Sequence, residues 1–205
     1  MQLKPIIFPA IAVALLVAWT GVRRVAYDSA IEACDAGGAS VSIEACSELI
    51  RRDARDAIAY YNRGNAYADG GERDRALADY SSAIAIQPGY AAAYNNRGHA
   101  YLEKGEHARA IADFTRAVEI DPAQALAFNN RAWAFLQTGA AAQGLPDAEK
   151  SLALKPADAR ALNTRGRIFE ALGRREEAIA DFRRALALNP ASQDSADALA
   201  RLGAR

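Results

Sequence analysis

The sequence predicts an all-α fold, a stack of antiparallel helix pairs preceded by one N-terminal transmembrane helix. Three observations carry that expectation. From Ala57 the chain of 205 residues divides into four blocks, 57–90, 91–124, 125–158 and 159–192, each of 34 residues with no insertion or deletion. An aromatic or leucine stands fourth in each block (Tyr60, Tyr94, Phe128, Leu162), a small residue eighth (Gly64, Gly98, Ala132, Gly166) and an aromatic eleventh (Tyr67, Tyr101, Phe135, Phe169). That spacing puts all three on one helical face. Glycine is fifteenth and proline thirty-second in all four blocks, where they end a first and a second helix.

Composition narrows the function classes. The 25 basic and 25 acidic residues balance, whereas a nucleic-acid binder shows a basic excess. Two cysteines and two histidines are too few for a zinc cluster, and no cofactor motif occurs, so neither metal nor cofactor is expected.

Taken in chain order, the first element is 1–22. Pro5 to Val22 holds no charge over 18 residues, which as a helix spans roughly 27 Å, near the thickness of a bilayer's hydrocarbon core. Lys4 precedes the run, Arg23 and Arg24 follow it, and Trp19 sits near one end as an interfacial anchor would. The segment reads as an uncleaved signal anchor. The alternative is a cleaved signal that leaves a soluble exported protein, but Ala18 has Leu16 two residues before it and Ala26 has Arg24, so no small-x-small cleavage site is well placed. Flanking charge ties on the two sides and does not orient the helix.

Residues 23–56 form the second element. Ser42–Asp53, "SIEACSELIRRD", runs in step with Ala110–Asp121, "AIADFTRAVEID": Ile43 matches Ile111, Cys46 matches Phe114 and Ile50 matches Val118. The stretch therefore reads as a worn block with "DAGGA" as its turn. Cys34 falls late in its first helix and Cys46 in the core of its second, facing across Gly37-Gly38. Either they form a disulfide, contributing roughly 3 kcal/mol for a loop this size in the chain-entropy picture, or they pack as two buried thiols. An export-type segment upstream favours an oxidising compartment, and so the bond.

Within each block of 57–192 the small eighth residue lets two helices approach closely. A single hairpin cannot bury its apolar face and must stack on neighbours. Arginine is seventh in every block (Arg63, Arg97, Arg131, Arg165), and aspartate follows sixteen residues later (Asp79, Asp113, Asp147, Asp181). The pairing predicts ties between helices, as surface pairs worth up to ~1 kcal/mol each; the alternative is a basic stripe for an anion. The third block departs from the others, with Gly144, Pro146 and Ala148 in its second half. Its second helix is expected to start late, near Pro146, and its interface to be thin at Ala148 unless neighbours fill it. Asp194–Arg205 starts like another first helix, so 191–205 is expected to cap the array.

Over residues 57–190 this pattern resembles the tetratricopeptide repeat. The resemblance implies a right-handed superhelical solenoid whose first helices line a concave groove, and an interaction scaffold that binds peptides or partner proteins. No Ser-His-Asp, metal or phosphate-loop constellation accompanies it, so catalysis is not expected. The cysteine-bearing leader is similar to that of short exported or membrane-anchored bacterial members. That implies a single-pass inner-membrane protein with a periplasmic repeat domain and an assembly or adaptor role. The alternative is a cytosol-facing anchored adaptor with reduced cysteines.

Helical spacing turns the second, fifth, sixth, ninth and thirteenth places of each first helix towards that groove. The sixth reads Asn62, Asn96, Asn130, Thr164; the fifth Tyr61, Asn95, Asn129, Asn163; the ninth Asn65, His99, Trp133, Arg167. A carboxamide both donates and accepts, so it can pair with peptide N–H and C=O groups whatever the side chains. The column is similar to the asparagine ladder that holds an extended peptide in the repeat region of O-linked N-acetylglucosamine transferase. The alternative is that these amides solvate the helix face. Trp133 is either an anchor for a ligand or a filler between repeats, and His99 has no catalytic partner in view. Members that hold a chaperone's C-terminal carboxylate use cations where this chain has Tyr61, Leu126 and Asn130, although Asn65 and Asn96 match; that ligand is not expected.

Overall fold

The computed structural model describes residues 28–35 and 39–204, so the anchor expected over 1–22 and the centre of the "DAGGA" turn lie outside the described residues. Among the described helices, none is long and apolar enough to cross a membrane. The described regular structure is all helical. Helix α1 covers 28–35. It is followed by α2 (Ala39–Arg52), α3 (Ala57–Asp69), α4 (Arg73–Ile86), α5 (Ala91–Glu103), α6 (His107–Ile120), α7 (Ala125–Gln137), α8 (Ala141–Leu154), α9 (Ala159–Ala171), α10 (Arg175–Leu188) and α11 (Gln193–Arg201). Each block of 34 is one helix pair.

Every pair reverses through its fifteenth-place glycine. Gly71 has φ 76°, a left-handed conformation that side chains resist, yet an added Cβ there would meet nothing within 4 Å; backbone geometry alone selects it. The eighth-place glycines are required for a different reason. A Cβ on Gly64 would stand 2.7 Å from Tyr80 Cε1, and on Gly166 2.7 Å from Phe182 Cε1. In the first, second and fourth pairs the aromatic of the second helix thus packs directly on the backbone of the first, and Tyr80, Phe114 and Phe182 are fully buried.

The third pair inverts this arrangement. Ala132 and Ala148 occupy the glycine and aromatic places, and the close approach moves to Gly144, whose added Cβ would lie 2.8 Å from the Ala132 carbonyl. The volume missing at Ala148 is filled from the next repeat by Ile168, fully buried against Ala132, Ala141 and Ala148. Helix α8 begins at Ala141 and runs through Pro146, not late as expected. The reason is position: Ala142 and Pro146 are both exposed, so the carbonyl that proline leaves without a donor faces water.

Pairs stack through α4 on α5, α6 on α7 and α8 on α9, and the first helices α3, α5, α7 and α9 also touch in succession. No two second helices pack to that extent among the described residues, so the first helices sit closer together than the second. At one end Cys34 and Cys46 are bonded, with S–S 2.04 Å and Cα–Cα 4.9 Å. They pack with Leu49 on Ala59, fastening α1 and α2 to the first repeat. At the other end α11 closes the core, Ala198 and Leu199 joining Phe169, Ala178 and Phe182. Leu199 holds the place of the block arginines.

Candidate binding groove

The arginine–aspartate ties set the first helices in place. Arg63 donates Nε to Asp79 Oδ2 at 2.7 Å and Nη2 to Oδ1 at 2.8 Å. Arg97 with Asp113, Arg131 with Asp147 and Arg165 with Asp181 repeat the two-pronged geometry. These are not surface pairs, because the aspartate side chains are only 4 to 10% exposed. A third bond crosses between repeats: Arg63, Arg97 and Arg131 each donate Nη1 to the hydroxyl of Ser47, Ser81 and Thr115 on the preceding second helix. Bonding to aspartate raises the pKa of Arg63, Arg97 and Arg165 against the opposing pull of burial. With two prongs on aspartate in all four and the third committed in the first three, the arginines form ties, not a stripe open to an anion.

The amides face the other side of the same helices. Asn96 spends its Nδ2 on Asn65 Oδ1 (2.8 Å) and the Tyr61 hydroxyl (3.1 Å), and accepts from Asn95 Nδ2 through Oδ1 at 3.1 Å. Asn95 Oδ1 in turn accepts from Asn130 Nδ2 at 3.0 Å. The Tyr80 hydroxyl reaches past Gly64 to donate to Asn65 Oδ1 at 2.9 Å. Burial, then the nearby Tyr61, pushes the Tyr80 pKa upward, so it remains a donor at neutral pH. The amides of successive repeats are therefore linked to one another along the groove floor. Among the described residues, Asn65 Nδ2 and Asn130 Oδ1 have no protein partner, and Asn130 Nδ2 keeps one N–H.

The remaining expected site residues sit at the edges. Asn62 donates to Asp35 Oδ1 of the leader at 2.6 Å. Asn163 donates to Ser195 Oγ at 2.9 Å and accepts from Arg167 Nε at 3.2 Å. Arg167 also lies 5.8 Å above the Trp133 ring, covering one face of it. His99 projects from the floor, more than half exposed, with Nδ1 3.9 Å from Glu103 Oε1. Asn129 lines the groove but is nine-tenths buried, with its Oδ1 unpartnered.

Two adjoining hollows result, of about 450 Å³ and 300 Å³, with His99, Asn130 and Arg160 in the walls of both. The first also draws on Asn65, Asn96 and Leu126, the second on Trp133 and Asn163. Leu126 and Arg160 stand second in their blocks, a place helical spacing marks as groove-facing although the amides overshadow it. Tyr80 comes from a second helix, and nothing in its spacing signals that its hydroxyl reaches the groove.

Family models described as tetratricopeptide repeat match residues 91–124 and 159–192, and one described as TPR repeat matches 64–105. None of these spans covers the third block, whose small and large residues have traded places. No curated protein matches the chain. Among solved structures, MamA is 22% identical with a TM-score of 0.69, over 80% of this chain and 92% of that one. YrrB, described as a TPR protein with an unusual peptide-binding site, is 23% identical with a TM-score of 0.65, over 80% and 86%. The first TPR of Spaghetti (RPAP3), bound to an HSP90 peptide, is 27% identical with a TM-score of 0.54, over 55% and 90%. Over the matched residues, 64–124 and 159–192, the helix pairs are tetratricopeptide repeats.

Proposed function

We propose that the chain is a non-catalytic interaction module that holds an extended segment of a partner protein along the face of α3, α5, α7 and α9. The observation that carries this reading is the pair of adjoining hollows, the larger walled by Asn65 and Asn130 and the smaller by Asn130, whose amides retain free donors and acceptors two repeats apart. A main chain offers the same alternation of N–H and C=O. Leu126 and Trp133 add apolar surface beside it. YrrB and Spaghetti, both described with peptide sites, supply the analogy.

The module is tethered to the bacterial inner membrane by 1–22, with its repeats in the periplasm, where it serves assembly or adaptor work. The disulfide supports that side of the membrane, since such bonds persist in oxidising compartments. Blocking thiols in intact cells with a membrane-permeant alkylator, before and after reduction, tests the placement. Cys34 and Cys46 are expected to label only after reduction; labelling without reductant rejects the periplasm.

The groove is tested by the Asn65→Ala/Asn130→Ala double variant in crosslinked capture from cells. It removes the amides that keep an unbonded donor or acceptor, and loss of the crosslinked partner is expected with the helical signal unchanged. Equal capture by both proteins would eliminate the groove. Asn96→Ala is a poorer probe, because both of its N–H groups are already bonded within the protein.

A further inference from the structure

Between the four repeats the amide chain follows one rule in two joints and breaks it in the third. In the first two the sixth-place side chain of one repeat donates to the fifth-place side chain of the repeat before: Asn96 Nδ2 to Tyr61 Oη, then Asn130 Nδ2 to Asn95 Oδ1. The next joint should bring residue 164 to Asn129. Residue 164 is threonine, fully inside at 5% exposure, and it makes no bond to Asn129. Its branched side chain is one heavy atom shorter than asparagine and carries a single O–H in place of the amide's two N–H donors. Asn129 Oδ1 is left as a buried acceptor without a partner, on a side chain 9% exposed.

An unpaired buried acceptor is costly, and such groups are rare enough to require an explanation. This one belongs to a residue in the wall of the smaller hollow, beside Asn130, Trp133 and Asn163. Resting on the groove reading above, we infer that the broken rung is a subsite for one main-chain N–H of an extended peptide. The bound N–H takes the position that an asparagine at 164 would fill, and the Asn129 carboxamide turns on its own bond to meet it. Asn130 Oδ1 and its remaining N–H, one helical position on, then serve the neighbouring peptide unit. The two unbroken joints have no such vacancy, so this subsite lies between the third and fourth repeats.

Thr164→Asn completes the rung and separates the possibilities. The full chain, purified in mild detergent, would be used to select from a phage-displayed random peptide library, and the selected peptides measured by fluorescence anisotropy. Thr164→Asn is expected to raise the thermal midpoint and to weaken the selected peptides about tenfold, the worth of one good hydrogen bond. Thr164→Val, which keeps the shape and leaves Asn129 unpaired, should bind them as the unaltered chain does. In an Asn129→Ala background, adding Thr164→Asn should weaken them no further. If Thr164→Asn raises the midpoint and the peptides bind as before, the orphan acceptor is real but serves no ligand, and the subsite is overturned. Equal weakening by Thr164→Val would assign the effect to packing and overturn it too. A selection that yields no peptide rejects the groove reading itself.

Discussion

Arg97 ties the structure in two directions at once. Its Nε and Nη2 grip Asp113 in the same repeat, its Nη1 bonds Ser81 in the one before, and its guanidinium sits 5.5 Å from the Tyr94 ring centre. The rigid fork of donors suits this work, which lysine's single ammonium could not do. Because Asp113 is buried, Arg97→Ala strands a carboxylate away from water and is expected to cost about 3–5 kcal/mol. The Arg97→Leu/Asp113→Ala double variant removes both charges and should cost clearly less than the single change. Urea unfolding followed by circular dichroism measures both, and a loss below about 1 kcal/mol for Arg97→Ala would return the tie to the surface class. The pairing was legible in the sequence as a constant sixteen-residue interval. Its depth was not, because burial depends on the neighbouring repeat. The serine or threonine that completes each tie is hidden among other polar residues, and becomes visible only once the helices are stacked.

At the scale of the helix, the third repeat shows what periodicity cannot convey. Glycine, proline and aromatic places located the pairs, and the bounds of α3 to α10 follow them closely. Pro146 argued for a late start to α8, since sequence alone did not show that the carbonyl facing it points to water. Ala148 looked like a thin interface; its compensation lies in Ile168, twenty residues on, where the preceding repeats carry Ala66, Ala100 and Ala134. Ile168→Ala should therefore leave a void between α8 and α9 and cost about 2–5 kcal/mol by chemical denaturation. Ala148→Phe alone should also destabilise, having no room. Combining Ala148→Phe with Ala132→Gly, Gly144→Ala and Ile168→Ala rebuilds the arrangement of the other repeats and should recover most of that loss. Failure of the fourfold variant to recover would mean that Ile168 does not stand in for the aromatic. The last helix depends on a different contact: Arg201 grips Glu170 with two bonds of 2.8 Å. That bonding holds the Glu170 pKa below its unfolded value of 4.5, so the contribution is complete above that value and is lost as pH falls through the folded one. Fraying of α11 should therefore begin below about pH 4.5 in the unaltered chain and be present at neutral pH in Glu170→Gln, read as faster amide exchange confined to 193–204.

Across the whole molecule, each helix pair leans only on its neighbours, so a local loss should stay local and fade along the stack. The leader pair is the clearest case. Among the described residues it leans on the first repeat through Ala59 and the Arg63–Ser47 bond, and it meets the groove through the bond from Asn62 to Asp35. The Cys34–Cys46 bond closes a short loop and removes disorder from the unfolded leader, worth roughly 3 kcal/mol in the chain-entropy picture. Reduction should therefore speed amide exchange in α2 by up to about a hundredfold, to a lesser degree in α3, and leave α7 to α10 unchanged. Hydrogen-exchange mass spectrometry on the chain with and without reductant resolves these regions separately. Because Asp35 would no longer be held over Asn62, reduction would also free that amide at the leader end of the groove. A uniform acceleration from α2 to α10 would mean that the repeats unfold as one cooperative body, and that stability is shared along the whole length of the groove.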